Sequence, residues 1–389
     1  MKVGVARESA PGERRVALVP ETLARLQKAG LDVLVEQGAG VGSHHPDAAY
    51  ETAGATVLST AEMYAQADVI LRVQKPGPAD VERLRSGQVV MGLLQPLIDP
   101  GLQATLAAKG VTSISLDAIP RTLSRAQTMD ALSSQANVGG YRAVLLAATA
   151  YGRYFPLLTT AAGTAKPANV LILGIGVAGL QAIATARRLG AIVKAYDVRK
   201  ETREQAQSLG ASFLVLKSVA DASGEGGYAR ELTPDERHAQ QEELNGYIGD
   251  MDVVITTAQV PGRRPPVLVT AAAVALMRPG SIIVDMAASE HGGNCELSRV
   301  GETIETPNDV TIIAPENLPA SMAGGASLFF ARNMSALLLN FVRDGQMTID
   351  FADEITAGTV IAHGGQVVQP ATKALLEAAA GAAPTGARA

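Results

Sequence analysis

Short runs of apolar, mostly β-branched residues recur through the first third of the chain and predict five buried strands. They lie at residues 2–7, 32–38, 69–75, 89–95 and 112–118. Helical patterns separate these runs, and three of them begin at Pro or Asp and end at Gly, at residues 20–30, 78–87 and 99–110. This alternation of strands and helices predicts a parallel sheet with helices on both faces.

A second series of the same kind follows in the middle of the chain. It begins with NVLILGIGVAGLQAIATARRLGAIVKAYDVR at 169–199, and further strands are predicted at 212–216, 252–258, 281–288 and 310–316. Between the two series lie a polar stretch at 121–137, here called the polar segment, and an alanine-rich helix predicted at 141–155. Two α/β domains are therefore expected in the 389 residues.

The tail supplies a long apolar helix pattern at 327–345 and a β-like stretch at 358–368. By analogy with two-domain dehydrogenases, this helix is expected to complete the first domain. The predicted fold class is α/β, with two Rossmann-like, doubly wound parallel-sheet domains separated by a cleft. The first domain is predicted to be discontinuous, at 1–130 plus 325–389, and the second to span 131–324. A Gly-rich, then highly charged segment at 217–250 is long for a connection and predicts a mobile loop.

Composition narrows the possible partners and the compartment. A net charge of −5 and an aromatic content of 4% give no reason to expect nucleic acid as a partner. The single cysteine, Cys295, excludes an internal disulfide and fits a reducing compartment. The N-terminus has no signal-peptide pattern, and the apolar runs are shorter than the roughly 20 residues that span a bilayer. A cytoplasmic location is expected, and any attachment to a membrane would come from another chain.

Three glycines indicate a dinucleotide site. Gly174, Gly176 and Gly179 form a G-x-G-x-x-G motif directly after an apolar strand and directly before a helix, and the next strand ends at Asp197. The motif brings backbone close to a pyrophosphate, and the acid is placed to accept hydrogen bonds from ribose hydroxyls. A 2′-phosphate would be repelled by Asp197, so NAD(H) is favoured over NADP(H), although Arg199 nearby weakens this preference.

Several motifs together resemble one family. VGVARESAPGERRVALVPE, EQGAGVGS, GIGVAG, ITTAQVPGRRPPVLVT and VDMAASEHGGNCELS are similar to the alanine dehydrogenases and to the NAD(H)-binding subunits of proton-translocating NAD(P) transhydrogenases. Tyr228 resembles a tyrosine of a mobile loop that folds over NAD(H) in the transhydrogenases. The resemblance implies the following cofactor-binding residues: Gly174, Gly176, Val177, Ala178, Gly179, Asp197, Val198, Arg199, Tyr228, Ala258 and Asn137.

Two glutamines argue against the alanine dehydrogenase branch. Oxidation of an amine requires a positioned acid or base, because protons move together with the hydride. The resemblance places Gln74 and Gln95 where the alanine dehydrogenases carry a lysine and a catalytic histidine, and neither amide can exchange a proton. Arg15 resembles their substrate-binding arginine, and Lys75 lies one residue from the lysine position. An amino-acid dehydrogenase with an unrecognised acid or base remains an alternative, as does a non-catalytic NAD-binding regulator.

The polar segment has many hydrogen-bonding groups but no proton shuttle. Eleven of its seventeen residues are polar, and none is His, Cys, Lys or Tyr. Hydride transfer between two nicotinamide rings requires no acid or base, only near-attack geometry and the exclusion of water. Residues 124–137 match the transhydrogenase pattern S-R-A-Q-x-x-D-A-L-S-S-x-A-N. The segment therefore favours a transhydrogenase.

The same resemblance implies roles within the polar segment. Asp130 and Ser133 would engage the carboxamide and ribose of NAD(H), and Gln127 would reach toward a second nucleotide on a partner. A further arginine is expected at the site, and Arg121 and Arg125 are both candidates. A plainer interpretation is that Asp130 and Ser133 only cap a helix that begins near residue 129.

The resemblance also implies partners. NADP(H) would be bound only by membrane-embedded subunits that carry their own NADP(H)-binding domain, and this chain would be a homodimer on the inner face of the cytoplasmic membrane. No metal is expected, because His44 and His45 lie in a predicted loop without a third ligand at suitable spacing.

Overall fold

The computed structural model of the protein describes residues 1–199, 201–219, 234–259 and 264–381. The chain divides into two compact units. Unit 1 comprises Met1–Gln135 and Pro319–Ala389, and unit 2 comprises Ala136–Leu318. Each unit contains a mostly parallel sheet with helices, which confirms the predicted α/β class with two Rossmann-like domains.

The strands of the described residues are short, as is usual for buried parallel sheets. In chain order they are β1 Lys2–Val5, β2 Asp32–Glu36, β3 Thr56–Leu58, β4 Val69–Gln74, β5 Val89–Leu93, β6 Thr112–Ser115, β7 Leu158–Thr160, β8 Gly163–Ala165, β9 Asn169–Leu173, β10 Ile192–Tyr196, β11 Ser212–Phe213, β12 Val253–Thr256, β13 Ile282–Asp285, β14 Thr303–Glu305, β15 Thr311–Ile313, β16 Val342–Arg343, β17 Gln346–Met347, β18 Val360–His363 and β19 Gln366–Val367.

The α-helices of the described residues connect most of these strands. They are α1 Pro20–Lys28, α2 Asp47–Thr52, α3 Thr60–Gln66, α4 Pro78–Arg83, α5 Pro100–Ala108, α6 Ala131–Ala150, α7 Val177–Arg188, α8 Thr202–Ser208, α9 Pro234–Gly249, α10 Ala271–Leu276, α11 Ala323–Asn340, α12 Glu354–Thr359 and α13 Pro370–Gly381. A 3₁₀ helix at Ser124–Met129 precedes α6 within the polar segment.

The sheet of unit 1 has the order β19-β18-β6-β5-β4-β1-β2-β3. Strands β1 to β6 pair in parallel, and β18 and β19 extend the sheet in antiparallel fashion. Its side chains alternate between two cores, as the pleat requires. Val69 and Leu71 of β4 pack in the same cluster as Phe330 of α11, and Ile70 packs in the opposite cluster with Met63 of α3.

The sheet of unit 2 has the order β11-β10-β9-β12-β13-β15-β14, and only β14 is antiparallel. Val170 and Ile172 of β9 lie in one core with residues of α6 and α7, whereas Leu171 lies in the other with Ile248 of α9. The strand order reverses between β9 and β12. Ligands of open α/β sheets bind at the carboxyl ends of the strands at such a reversal.

Three predicted elements differ in the structure. Within the predicted mobile loop at 217–250, residues 234–249 form helix α9, whose Leu244 and Ile248 are buried in a core, and residues 220–233 lie outside the described residues. The alanine-rich helix begins ten residues earlier than predicted, at Ala131. The tail helix spans Ala323–Asn340 and ends before 345, because the chain turns between β16 and β17. None of the described helices is long and apolar enough to cross a membrane.

Candidate functional site

The loop between β9 and α7 explains two of the three glycines of the G-x-G-x-x-G motif. Gly174 has a φ of +96°, which L side chains rarely adopt, and it follows directly on β9. A Cβ at Gly179 would lie 2.0 Å from the Gly174 carbonyl oxygen, so only glycine allows the helix to pack this closely on the loop. A Cβ at Gly176 would have no described atom within 4 Å. The loop is therefore tightly packed at its ends and open at its centre.

The open centre coincides with the N-terminus of α7. Gly176 is the N-cap of this helix and offers no side chain to its first backbone N–H groups. Val177, Ala178 and Gly179 form the first turn. Uncapped N–H groups at the positive end of a helix dipole favour an anion. A pyrophosphate fits this place by its charge and by the space above Gly176.

Asp197 follows β10 beside this loop and is engaged by its neighbours. Its carboxylate accepts hydrogen bonds from the Ile175 backbone N–H at 2.7 Å and from the Arg199 guanidinium at 2.9 and 3.0 Å. Burial raises the pKa of Asp197, but the hydrogen bonds from Arg199 and Ile175 lower it below the usual value. The side chain of Arg199 is 58% exposed, and Val198 between them is also exposed. The acid is thus charged at neutral pH, with an exposed cation within reach.

Ala258, at the carboxyl end of β12, is held by an asparagine that sequence reasoning missed. The Asn294 amide accepts from the Ala258 N–H at 2.9 Å and donates to the Ala258 carbonyl at 3.0 Å and to the Pro266 carbonyl at 2.7 Å. Asn294 is fully buried. The GGNC motif that carries it gave the only signal in the sequence. This amide fixes the backbone next to the glycine loop, since Thr257 donates to the Gly174 carbonyl at 2.8 Å.

Asn137 lies on α6 within unit 2. Its amide donates to Gln181 of α7 at 3.1 Å. One turn later a Cβ at Gly140 would lie 2.1 Å from the Ala178 carbonyl oxygen, so α6 approaches the first turn of α7 as closely as backbone allows. Asn137 is therefore placed beside the helix that follows the glycine motif.

Arg121, Asp130 and Ser133 form one hydrogen-bonded cluster in unit 1. The Arg121 guanidinium donates to Asp130 Oδ2 at 2.9 Å and to Ser133 Oγ at 2.7 Å, and Ser133 Oγ donates to Asp130 Oδ2 at 2.7 Å. Burial raises the pKa of Asp130, but the hydrogen bonds from Ser133 and Arg121 lower it below the usual value. The cluster presents a carboxylate, a hydroxyl and a guanidinium, which suit the groups of a carboxamide and a ribose.

Asp130 also caps α6, as the plainer interpretation of the sequence requires. Its Oδ1 accepts from the Ser133 backbone N–H at 2.9 Å, and the helix begins at the next residue, Ala131. Its other oxygen, Oδ2, bonds Arg121. Capping uses one carboxylate oxygen only, so both roles are compatible.

The two candidate arginines have different partners. Arg125 pairs with Asp353, the N-cap of α12, whereas Arg121 pairs within the predicted site. Burial raises the pKa of Asp353, but the hydrogen bond from Arg125 contributes to lowering it to about 2. Gln127 is exposed, and its amide has no partner among the described residues. Of the two arginines, only Arg121 thus belongs to the cluster of Asp130 and Ser133.

The residues that bear on an amino-acid dehydrogenase lie in unit 1. Arg15 is 3% exposed and donates to both carboxylate oxygens of Glu13, at 2.8 and 2.6 Å. Gln74 donates to the same carboxylate at 2.9 Å. Burial raises the pKa of Glu13, but the hydrogen bond and the charge of Arg15 lower it to about 2, so the group is held as an anion. The expected lysine position thus holds an amide that is bonded to a carboxylate, and this amide cannot supply an acid or base.

Lys75 and Gln95 are the other two residues that bear on an amino-acid dehydrogenase. Lys75 Nζ lies 2.6 Å from Asp99 Oδ2, and the lysine side chain is 39% exposed. Gln95 adopts a φ of 50°, and its backbone N–H donates to Asp117 at 2.8 Å. An ion-paired ammonium and an amide at a strand end supply no general base.

Two other predicted residues have simple outcomes. Cys295 is buried, and burial raises the pKa of its thiol to about 12. Tyr228 lies outside the described residues.

Two family models match the chain. Residues 4–139 match the N-terminal domain of the alanine dehydrogenase/PNT family, and residues 143–370 match its C-terminal domain. Together the two matches cover most of the chain.

Sequence identity is higher to a transhydrogenase subunit than to an alanine dehydrogenase. The chain is 42% identical over 389 residues to the NAD(P) transhydrogenase subunit alpha of Cereibacter sphaeroides, a match that covers 99% of this chain and 74% of that protein. It is 32% identical over 334 residues to the alanine dehydrogenase of Mycobacterium tuberculosis, a match that covers 83% of this chain and 82% of that protein. A solved transhydrogenase structure from Sinorhizobium meliloti matches with a TM-score of 0.83 and 41% identity, over 95% of this chain and 100% of that chain.

Proposed function

The chain belongs to the alanine dehydrogenase/PNT family, and on that premise we propose that it is the NAD(H)-binding alpha subunit of a proton-translocating NAD(P) transhydrogenase. The reaction passes a hydride from C4 of NADH, bound by this chain, to C4 of NADP⁺, bound by a partner. NADH becomes NAD⁺ and NADP⁺ becomes NADPH, so no proton is exchanged at the two rings.

The observation that carries the proposal is the cluster of Arg121, Asp130 and Ser133 beside an exposed Gln127 without a partner among the described residues. The cluster binds and orients polar groups, and the polar segment contains no residue that exchanges a proton near neutral pH. Such a site suits a reaction that depends on orientation and exclusion of water. Arg121, Asp130 and Ser133 would hold the nicotinamide end, and Gln127 would meet the second nucleotide.

The glycine loop would hold the rest of NAD(H). The N–H groups at the start of α7 would bind the pyrophosphate, and Asp197 would accept hydrogen bonds from the adenosine ribose. NADP(H) would be bound by membrane-embedded partner subunits, which would also carry out proton translocation. The chain would then be peripheral to the cytoplasmic face of the membrane.

A homodimer is also proposed. The β7–β8 hairpin of unit 2 has mostly exposed residues, and Tyr154 and Leu157 before it are 56% and 60% exposed. Exposed apolar groups of this size suit an interface between copies of the chain. Light scattering of the purified protein tests this directly, since a mass of one chain would exclude it.

A substrate assay tests the proposed function. NADP⁺ reduction by NADH should require both this chain and the NADP(H)-binding partner. Alanine-dependent NAD⁺ reduction by this chain alone should stay at background, because Gln74 and Gln95 supply no acid or base. Alanine-dependent activity without a partner would instead establish the amino-acid dehydrogenase.

Replacement of Asp197 by asparagine should reduce the preference for NADH. The amide oxygen can still accept from Ile175, but the charge that repels a 2′-phosphate is lost and Arg199 becomes free to bind it. The ratio of NADPH to NADH affinity should rise about tenfold or more, since a hydrogen bond to a charged group is worth roughly 1.5–3 kcal/mol. Titration of protein fluorescence or isothermal calorimetry with each nucleotide measures this ratio.

Glu204→Gln is the matched control for Asp197→Asn. Glu204 is an exposed acid on α8, and removing its charge should leave the affinity ratio unchanged. An Asp197→Asn protein with the original NADH preference would show that Asp197 does not select the nucleotide.

A further inference from the structure

Asn333 on α11 holds the polar segment at two points. Its amide Nδ2 donates to the Thr128 carbonyl at 2.8 Å, and its Oδ1 accepts from Ser134 Oγ at 2.7 Å. Asn333 is 8% exposed, so these bonds replace water that the amide would otherwise bind. One buried side chain therefore connects the backbone before Asp130 with the helix after it.

These two contacts lie on either side of a break in the helical backbone. The 3₁₀ helix that carries Gln127 ends at Asp130, which has φ −74° and ψ 86°, and α6 begins directly afterwards. Gln127 and Ser133 therefore belong to different helical pieces. Their relative position depends on the torsions at Asp130, and Asn333 spans that junction.

Packing fixes the Asn333 amide itself. Phe330 and Met334 of α11 belong to the same buried cluster as Ala126 and Met129 of the polar segment. These apolar contacts place α11 against the 3₁₀ helix, and a buried asparagine between them has little freedom to turn. The Asn333 amide is therefore held in one orientation between α11 and the polar segment.

Ser134 is fixed from a second side. Its hydroxyl accepts from Gln135 Nε2 at 3.2 Å, and Gln135 Oε1 accepts from Arg15 Nη1 at 2.8 Å. Asn333 Nδ2 donates to the Thr128 carbonyl, so Oδ1 faces Ser134 and accepts its hydroxyl hydrogen at 2.7 Å, a shorter distance than the 3.1 Å to the alternative acceptor, the Ala131 carbonyl. The network gives the Asn333 contact a defined polarity.

We propose that Asn333 is a positioning residue for hydride transfer, and that it sets the distance between Gln127 and the Asp130–Ser133 pair. The inference rests on the proposed function, because it assigns the two sides of the junction to the two nucleotides. Asn333 touches neither nucleotide in this scheme. Its loss should therefore change the rate of transfer and leave the binding of NADH nearly unaltered.

Asn333→Ala in the complete complex with the NADP(H)-binding partner tests the proposal. Hydride transfer should slow by about tenfold or more, since a displacement near 1 Å can cost roughly a hundredfold in rate. The dissociation constant for NADH should change by less than about twofold. Asn333→Ala combined with Gln127→Asn should be no slower than Gln127→Asn alone, because Asn333 acts by placing Gln127.

Hydrogen exchange supplies a readout that does not depend on activity. In the purified Asn333→Ala chain, backbone amides of residues 126–134 should exchange about fivefold faster or more, as expected when hydrogen bonds that restrain a segment are lost. Ser335→Ala is the control. Ser335 is buried on the same helix, and its hydroxyl has no hydrogen-bond partner among the described residues, so its removal should alter neither rate nor exchange.

The outcomes separate this inference from the proposed function. If the unsubstituted chain transferred no hydride, the proposed function would fail. Hydrogen exchange of the backbone amides of residues 126–134 would then still show whether Asn333 restrains the polar segment. Unchanged exchange or unchanged transfer in Asn333→Ala would overturn the inference. Additive slowing in the double variant, or a loss of rate matched by a loss of folded protein, would also overturn it.

Discussion

Replacement of Gly176 by alanine is expected to weaken NADH binding about a hundredfold or more while the protein unfolds at an unchanged temperature. A methyl group at this position meets no described atom within 4 Å, so the folded chain accommodates it. The same methyl group occupies the space through which a pyrophosphate must approach the N-terminus of α7. Affinity should fall about a hundredfold or more, since each charge-assisted hydrogen bond lost is worth roughly 1.5–3 kcal/mol.

Gly179→Ala should behave differently although it adds the same methyl group. Its Cβ would lie 2.0 Å from the Gly174 carbonyl oxygen, so the helix or the loop must move. Overpacking of this kind costs about 1–3 kcal/mol, which lowers the unfolding temperature by several degrees. Both NADH binding and thermal stability should therefore decrease.

Gly246→Ala is the control for these two variants. Gly246 is exposed on α9, with no described atom within 4 Å of an added Cβ. Alanine there should leave NADH binding unchanged and raise helix stability by up to about 1 kcal/mol. Calorimetric titration with NADH and thermal unfolding, measured on all three proteins, test the loop. A Gly176→Ala protein that binds NADH as well as the unsubstituted chain would show that the pyrophosphate lies elsewhere.

Gln127→Asn should slow hydride transfer by about a hundredfold and leave NADH binding intact. The shorter side chain withdraws the amide by one methylene, and misplacement of about 1 Å can reduce a rate to this extent. Since Gln127 is exposed and its amide has no partner among the described residues, the substitution breaks no hydrogen bond of the described structure. Stopped-flow measurement of NADPH formation in the complete complex gives the rate.

Thr122→Ala provides the matched control for Gln127→Asn. Thr122 is also exposed in the polar segment, and no described residue bonds its hydroxyl. Its transfer rate should equal that of the unsubstituted chain. Equal rates for Gln127→Asn and the unsubstituted chain would remove Gln127 from the site and favour a non-catalytic regulator.

The central strands of both sheets could be predicted because each carries a compact apolar run between clear helix boundaries, whereas β3, β7, β8, β14, β16 and β17 were not predicted. Runs such as 69–75 and 169–173 form central strands of their sheets, and their side chains alternate between two cores. The G-x-G-x-x-G motif was equally informative, since its spacing reflects steric demands that the loop of β9 and α7 displays. The family resemblance is confirmed.

Other elements could not be predicted from local sequence. Helix α9 is highly charged, and only a few of its residues, such as Leu244 and Ile248, are buried, so its composition favoured a loop. The tail helix ends at Asn340, and the residues that follow form β16, β17 and the turn between them, in which Asp344 and Gly345 have positive φ values. Neither feature has a strong hydrophobic period.

The supporting asparagines were missed for a different reason. Asn333 and its partner Thr128 are 205 residues apart, and Asn294 and Ala258 are 36 apart. No periodicity or motif connects such positions in one sequence. Asp130 could be identified from the sequence, but its role could not, because helix capping and ligand binding require the same residue type. The geometry shows that one carboxylate oxygen caps the helix while the other bonds Arg121.

The central claim is that this chain passes a hydride directly between two nucleotides without a proton-exchanging intermediate. The most direct test uses NADH labelled with deuterium at the transferred C4 position, together with NADP⁺ and the complex of this chain with its NADP(H)-binding partner. The account predicts that deuterium appears at C4 of NADPH without loss to water, and only when both proteins are present. Deuterium released into solvent, or NADPH formed without this chain, would contradict it.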